Sequence, residues 1–299
     1  MKRLALVILF AGMLIACSKK TPTFDNSKNF SASLQTQAND EIRLSAELDA
    51  AFNDVDSALS NGDSVCGGSI AIDSVDTPRS ITINYSGNTC NALRNRTGAI
   101  AITYTPGTSW NTPGDSVIVN FRTLVITRLA DSKTLTLTGT FAYVNSSGGS
   151  LGGLHSGGTS PVIHTLAGSG INITYDDGTL SYWRFNRRRT YTYSSGLLIA
   201  TIGLDSAGSI GGVADWGGNR FGNSVVTAPT TPLQLSQACG WQTTAGQATM
   251  TNPIGVTTLN FGLDTTGKAT GCPVNGGHFY YKLAWTGDGE NPYTAVLPY

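Results

Sequence analysis

The stretch Ser80-Ile81-Thr82-Ile83-Asn84-Tyr85, bracketed by Cys66 and Cys90 and followed by Gly98-Ala99-Ile100-Ala101-Ile102-Thr103-Tyr104, decides how this chain folds. Apolar and polar residues alternate through both segments, the period of a β-strand with one buried face. The pattern returns near the other end. Thr258-Leu259-Asn260-Phe261 also follows one cysteine, Cys239, precedes another, Cys272, and leads into Gly277-His278-Phe279-Tyr280-Tyr281-Lys282-Leu283. The two ends of the chain read as related hairpins with a long β-rich middle between them.

That middle keeps the period of two. Ile70 and Ile72, Val117, Val119 and Phe121, Leu135, Leu137, Phe141 and Tyr143, and Ile171, Ile173 and Tyr175 alternate with Thr, Ser or Asn. Turn signals separate them at Ser86-Gly87-Asn88, Thr112-Pro113-Gly114-Asp115, Ala130-Asp131-Ser132-Lys133 and Asp177-Gly178. Only one segment has the helical period. After a capping Asn39-Asp40, Leu44, Leu48, Phe52, Val55 and Leu59 recur at helix spacing, and Asn61-Gly62 supplies a stop. The expected fold is all-β: an antiparallel sandwich or a strongly curved sheet with two disulfide-bracketed hairpins, plus one N-terminal amphipathic helix over 39–62. An outer-membrane barrel is the poorer expectation. The terminal Tyr299 invites it, but Pro298 is expected to spoil a final strand.

The start of the chain speaks of compartment. Lys2-Arg3 precedes an apolar run, Leu4 to Ala16, that is short for a membrane span. It ends in Leu14-Ile15-Ala16-Cys17, which resembles a bacterial lipobox, so residues 1–16 read as a signal peptide and Cys17 as the lipidated residue. Residues 17–38 are polar and aperiodic, a flexible tether, and 63–299 form the β-rich domain. Lipidation at Cys17 makes the membrane a partner through the N-terminal anchor. Ser18 carries no acidic retention signal, which points to the outer membrane of the bacterial envelope, facing either side.

Composition agrees with an exported β protein. Lys plus Arg equals Asp plus Glu at 19 each and only 13% of residues are charged, so no net field draws nucleic acid. The 36 glycines sit among recurring β-branched and aromatic residues, unlike a disordered tail. Besides Cys17 there are four cysteines, and hairpin geometry with a turn near Asp76-Thr77-Pro78-Arg79 sets position 66 almost opposite 90. The expected disulfides are therefore Cys66–Cys90 and Cys239–Cys272. A four-cysteine metal site lacks the paired Cys-x-x-Cys spacing.

The order of Cys66, Thr82-Ile83-Asn84-Tyr85, Cys90, Gly98-Ala99-Ile100-Ala101-Ile102-Thr103-Tyr104, Asp177-Gly178-Thr179-Leu180-Ser181-Tyr182-Trp183-Arg184, Cys239-Gly240-Trp241 and Leu259-Asn260-Phe261-Gly262 resembles a family of uncharacterised, β-rich, four-cysteine envelope lipoproteins common in Bacteroidetes. The match covers most of 63–285. Gly271-Cys272-Pro273 departs from that family's Gly-x-Cys-Asp. The resemblance implies envelope localisation and β architecture, and brings no assigned activity.

Residues with chemistry are few. Gly148-Gly149-Ser150-Leu151-Gly152 fits a nucleophile-elbow pattern but lies in a glycine-rich loop without the strand and helix an elbow needs. His155, His164 and His278 are too scattered for a metal triad, and Asp176-Asp177 reads as the turn before Gly178. No catalytic, metal or cofactor site is expected. The sharpest local feature is Tyr182-Trp183-Arg184-Phe185-Asn186-Arg187-Arg188-Arg189-Thr190-Tyr191. Trp183, Arg184, Arg187, Arg188 and Arg189 are the candidate ligand-binding residues for an anionic glycan; the plainer reading buries Trp183 and Phe185 and solvates the arginines on a rim. Asp followed by Ser or Thr recurs, with Ser57, Ser64, Ser74, Ser116, Ser206 and Thr265 as candidate O-glycosylation positions resembling the signal of exported Bacteroidetes proteins. Turn chemistry accounts for the same recurrence equally well. The sequence favours a non-enzymatic scaffold or binder of glycan or another envelope component, with a secreted-type hydrolase as the alternative.

Overall fold

A computed structural model of the chain describes residues 30–60, 65–75, 78–205, 207–208, 211–273, 277–286 and 292–299. The signal segment, Cys17, Ser64 and Ser206 lie outside them. Helix α1 (Phe30–Ser60) is followed by strands β1 (Gly68–Asp73), β2 (Ser80–Asn88), β3 (Arg94–Tyr104), β4 (Asp115–Arg128) and β5 (Thr134–Asn145). A one-turn helix α2 (Leu151–His155) precedes β6 (Val162–Tyr175), β7 (Leu180–Tyr193), β8 (Leu197–Gly203), β9 (Asp215–Gly218) and β10 (Ser224–Ser236). The chain closes with β11 (Gln242–Asn252), β12 (Gly255–Leu263), β13 (Tyr280–Thr286) and β14 (Tyr293–Pro298).

All strands belong to one antiparallel sheet in chain order, a meander from β1 to β14 with a single irregularity. β8 and β9 share one position between β7 and β10. β7 pairs β9 through Tyr182–Phe185 and β8 through Arg187–Tyr193, and β10 repeats the division on the other side. The expected disulfides form, each with a Cα–Cα distance of 5.2 Å, and pin the β1–β2 and β11–β12 hairpins.

Of the two expected architectures, the curved sheet is the one adopted, and glycines make the curve. At the β3–β4 register shift Gly98 has φ +99°, and a Cβ there would lie 2.1 Å from the Thr123 carbonyl oxygen. At the β11–β12 end Gly262 has φ +77°, with a Cβ position 1.9 Å from the Thr244 oxygen. Bulges of this kind bend and twist a sheet, and here they curl it around α1.

The helix lies inside the curl. Two apolar clusters hold it: Leu44, Leu48, Phe52, Val55 and Leu59 pack on inward residues of β2 to β7, while Leu34, Ala38 and Ile42 pack on Val225, Met250, Leu259, Tyr281, Leu283 and Trp285. Buried helix residues also include Gln37, Glu41, Glu47, Asp49 and Asp56, so the helix is covered on its polar side as well. The outward face of the sheet is dominated by Thr, Ser and Asn, as at Thr82, Asn84 and Ser86 on β2 and Thr136, Thr138 and Thr140 on β5. Water, not lipid, suits that face.

Two expectations need correction. The helix begins at Phe30 and not at Asn39, so its first turns take up residues read as tether. Ser31 to Ala38 looks aperiodic, yet Phe30 meets Trp285 at 4.4 Å between ring centroids, Leu34 and Ala38 are fully buried, and Asn39 accepts a hydrogen bond from Tyr281 Oη at 2.8 Å. Pro298 does not spoil the last strand. Tyr299 N–H donates to Phe279 O, which sets residues 294, 296 and 298 with their amide positions pointing off the free edge. A missing N–H costs nothing there.

Candidate functional site

The basic-aromatic run occupies β7, where strand alternation divides it into two sets. Trp183, Phe185, Arg187, Arg189 and Tyr191 point inward and are at most 2% exposed. Tyr182, Arg184, Asn186, Arg188 and Thr190 point outward. Trp183, Arg187 and Arg189 are therefore not ligand-binding residues on the surface, and Arg187 and Arg189 are not on a solvated rim. Their partners are acids on α1 and, for Arg187, Asp215 on β9 as well, none of which a local reading places opposite them.

Arg187 forks onto Asp215, with Nε to Oδ1 at 2.7 Å and Nη2 to Oδ2 at 2.9 Å, and reaches Asp49 and Ser45 on the helix. Arg189 donates from Nη2 to Asn53 Oδ1 at 2.6 Å and from Nη1 to Asp56 Oδ2 at 3.2 Å. On the opposite flank of α1, Arg94 pairs with Glu47 and Arg96 with Asp54, which also accepts from Tyr85 Oη. The two flanks share one design: acids seven apart on the helix meet arginines two apart on a strand. Buried ion pairs of this kind hold only when nearly every charge is answered.

Asp56 is the hub. It accepts from Tyr143 Oη, from Tyr191 Oη at 2.6 Å and from Arg189, and lies 3.1 Å from His164 Nδ1. Burial pushes its pKa up, but the His164 hydrogen bond and the His164 and Arg189 charges overcome this and hold it below the usual carboxylate range. Burial raises the Tyr143 and Tyr191 hydroxyls. Trp110 lids the cluster, 5.0 Å from the His164 ring and 5.1 Å from Tyr143, and His164 Nε2 is buried without a hydrogen-bond partner among the described residues. Further along α1, burial outweighs the adjacent Arg220 charge and pushes Asp40 up to about 6; burial likewise raises Glu41 well above its ordinary value.

This constellation has the residues of an acid–base centre, and Asp56, His164 and Arg189 are at most 2% exposed. A shallow recess of about 300 Å³ lies near it, lined by Leu154, Gly157, Gly158, Thr159, Thr192 and Tyr193, with no acid or base in its wall. Ser150 is the N-cap of α2 and accepts from Gly153 N at 3.1 Å. His155 rests edge-on against Tyr193. Among the described residues no three His, Cys, Asp or Glu side chains are placed to hold a metal ion.

The Asp–Ser/Thr sites divide by position. Ser57 sits in α1 between buried Asp56 and Ala58, and Ser116 is in β4, 2.8 Å from Thr105 Oγ1. Ser74 and Thr265 are exposed. At three of the sites the Asp has a local role: Asp73, Asp205 and Asp264 each accept from the backbone N–H two residues on, at 2.8–3.0 Å, as Asx-turns. Asp177 does the same to Thr179 N, as expected for the turn before Gly178.

Sequence reasoning missed the Asp56 hub and also missed Trp216. The signal for the first was Asp49 and Asp56, seven apart on one helix. The second lies in a four-residue strand whose last two residues are glycines, too short to register as periodic. Comparison with protein-family models, with curated proteins and with solved structures found no match.

Proposed function

We propose that this chain is an exported, lipid-anchored protein of the bacterial envelope, held to the outer membrane through Cys17, that acts without catalysis as a scaffold or as a binder of a glycan or another envelope component. One observation carries the reading of the folded part. The buried acids Glu47, Asp49, Asp54 and Asp56 are used to fasten α1 inside the sheet, and what the sheet offers to solvent is a wide Thr/Ser/Asn face with a local aromatic and basic patch on β7. The Leu14-Ile15-Ala16-Cys17 motif and the two disulfides support an oxidising compartment outside the cytoplasm. The test is metabolic labelling with an alkyne fatty acid in a Gram-negative host. The wild type is expected to carry the label and to sediment with outer membrane, and Cys17→Ser to lose both. An unlabelled wild-type chain in the soluble fraction would end the proposal.

A further inference from the structure

We infer that the outward face of β7 and β9, built on Tyr182, Arg184, Arg188 and Trp216, is a binding platform for an acidic saccharide chain. The inference rests on the binder reading above and names its site and ligand class. Inward residues of these strands are consumed by the helix; their outward neighbours are not. In register, Trp216 lies directly across from Arg184, and Gly218 across from Tyr182. Because Gly218 has no side chain, the Tyr182 ring leans over it: a Cβ there would lie 3.3 Å from the Tyr182 ring edge. Tyr182 is 49% exposed, on a face whose other residues are mostly Thr, Ser and Asn.

Charge selects the occupant. Arg184 has the Tyr182 ring 5.9 Å from its guanidinium, and neither it nor Arg188 makes an ion pair with a carboxylate among the described residues. This contrasts with Arg94, Arg96, Arg187, Arg189 and Arg220, every one of which is paired. On the outward face Arg184 is flanked by Trp216, Tyr182 and Asn186, and Arg188 by Thr165 and Ile202, so among the described residues no register partner of either cation is an acid. Four steps along β7 set the two arginines about 13 Å apart, a spacing for successive anionic groups on an extended polymer and not for one small ion. Flat aromatic rings beside a guanidinium fork suit the apolar face of a sugar ring that carries a carboxylate or sulfate. Trp, Tyr and Arg are also the residue types that dominate binding energy at interfaces.

The test is affinity chromatography and binding titration of the full-length chain in detergent on immobilised polygalacturonate, heparin and dextran, at about 0.15 M salt so that weak surface attraction is screened. Retention on one or both acidic polymers and not on dextran is expected. Arg184→Ser/Arg188→Ser should abolish it, and Trp216→Ala should weaken it about tenfold, the loss typical of an aromatic anchor. Arg122→Ser, removing an exposed arginine elsewhere on the outer face, should leave it unchanged. Unaltered thermal melts of the variants show that the fold is kept. No retention of the wild type, an equal loss from Arg122→Ser, or displacement by single-stranded DNA as readily as by polygalacturonate would each overturn the site. Fatty-acid labelling at Cys17 would stand whatever the columns show, so the envelope reading fails separately.

Discussion

The two halves of α1 are held in the same sheet by different physics. Both halves bury apolar residues, but the C-terminal half, from Ser45 onward, adds charge to its packing: Glu47, Asp49, Asp54 and Asp56 meet Arg94, Arg96, Arg187 and Arg189. The N-terminal half rests on apolar packing and neutral amides, with Gln37 accepting from Asn252 at 3.0 Å, Asn39 accepting from Tyr281, and, among the described residues, one ion pair between Asp40 and Arg220. Charge pairs fix register and are brittle when one member is lost. Packing tolerates change and yields gradually. The C-terminal half therefore adds directional pairs to its packing, and the N-terminal half relies on packing and amides.

Three outcomes would sharpen or break this contrast. Asp56→Ala should be the most damaging single change, because it leaves Arg189, two hydroxyls and His164 buried without their acceptor; loss of a buried partner costs about 3–5 kcal/mol. Leu34→Ala should cost about 2–3 kcal/mol, the lower part of the range for a core leucine. Urea denaturation of both variants checks the order, and a Leu34→Ala loss larger than that of Asp56→Ala would reverse the assignment. The halves should also answer pH differently. Asp40 has a folded pKa near 6, above its ordinary value, so the folded state holds the extra proton between about 4 and 6 and stability falls as pH rises through that window. Asp56, held low, contributes stability above the ordinary carboxylate range that is lost as pH falls below it. Wild type should thus lose stability relative to Asp40→Asn from pH 4 to pH 6; a gain over the same range would contradict the burial argument. The smallest effect belongs to the free edge. Pro298→Ala should shift the unfolding free energy by less than about 0.5 kcal/mol, since its amide position faces solvent, and a larger loss would mean the edge is covered.

Much of this was legible in the sequence, for local reasons. Alternation at Ile81, Ile83 and Tyr85 and at Leu135, Leu137 and Tyr143 gave strands with the right faces, and hairpin geometry paired the cysteines. The same alternation already grouped Arg187 and Arg189 with Trp183 on one face. What it lacked was the acid opposite, because Asp49 and Asp56 lie more than 130 residues away. A charged residue on an inward position reads as exposed until its partner is known. The first turns of α1 were hidden for a related reason: Ser, Gln and Thr make a weak helical stripe, and only the rings of Trp285 and Tyr281 show what Phe30, Leu34 and Asn39 are for.

The placement of α1 also dictates an order of events in folding. The helix is the first described element to be synthesised, yet its contacts extend to the last strand, where Gln35 meets Tyr293 across 258 residues. Its polar side chains keep it compatible with water until the sheet covers them. The sheet itself is a meander of sequence neighbours, so the distant contacts are those of the helix, and the hairpins clipped by Cys66–Cys90 and Cys239–Cys272 are pieces able to form early on their own. In this protein the core arrives first and the wall is built around it.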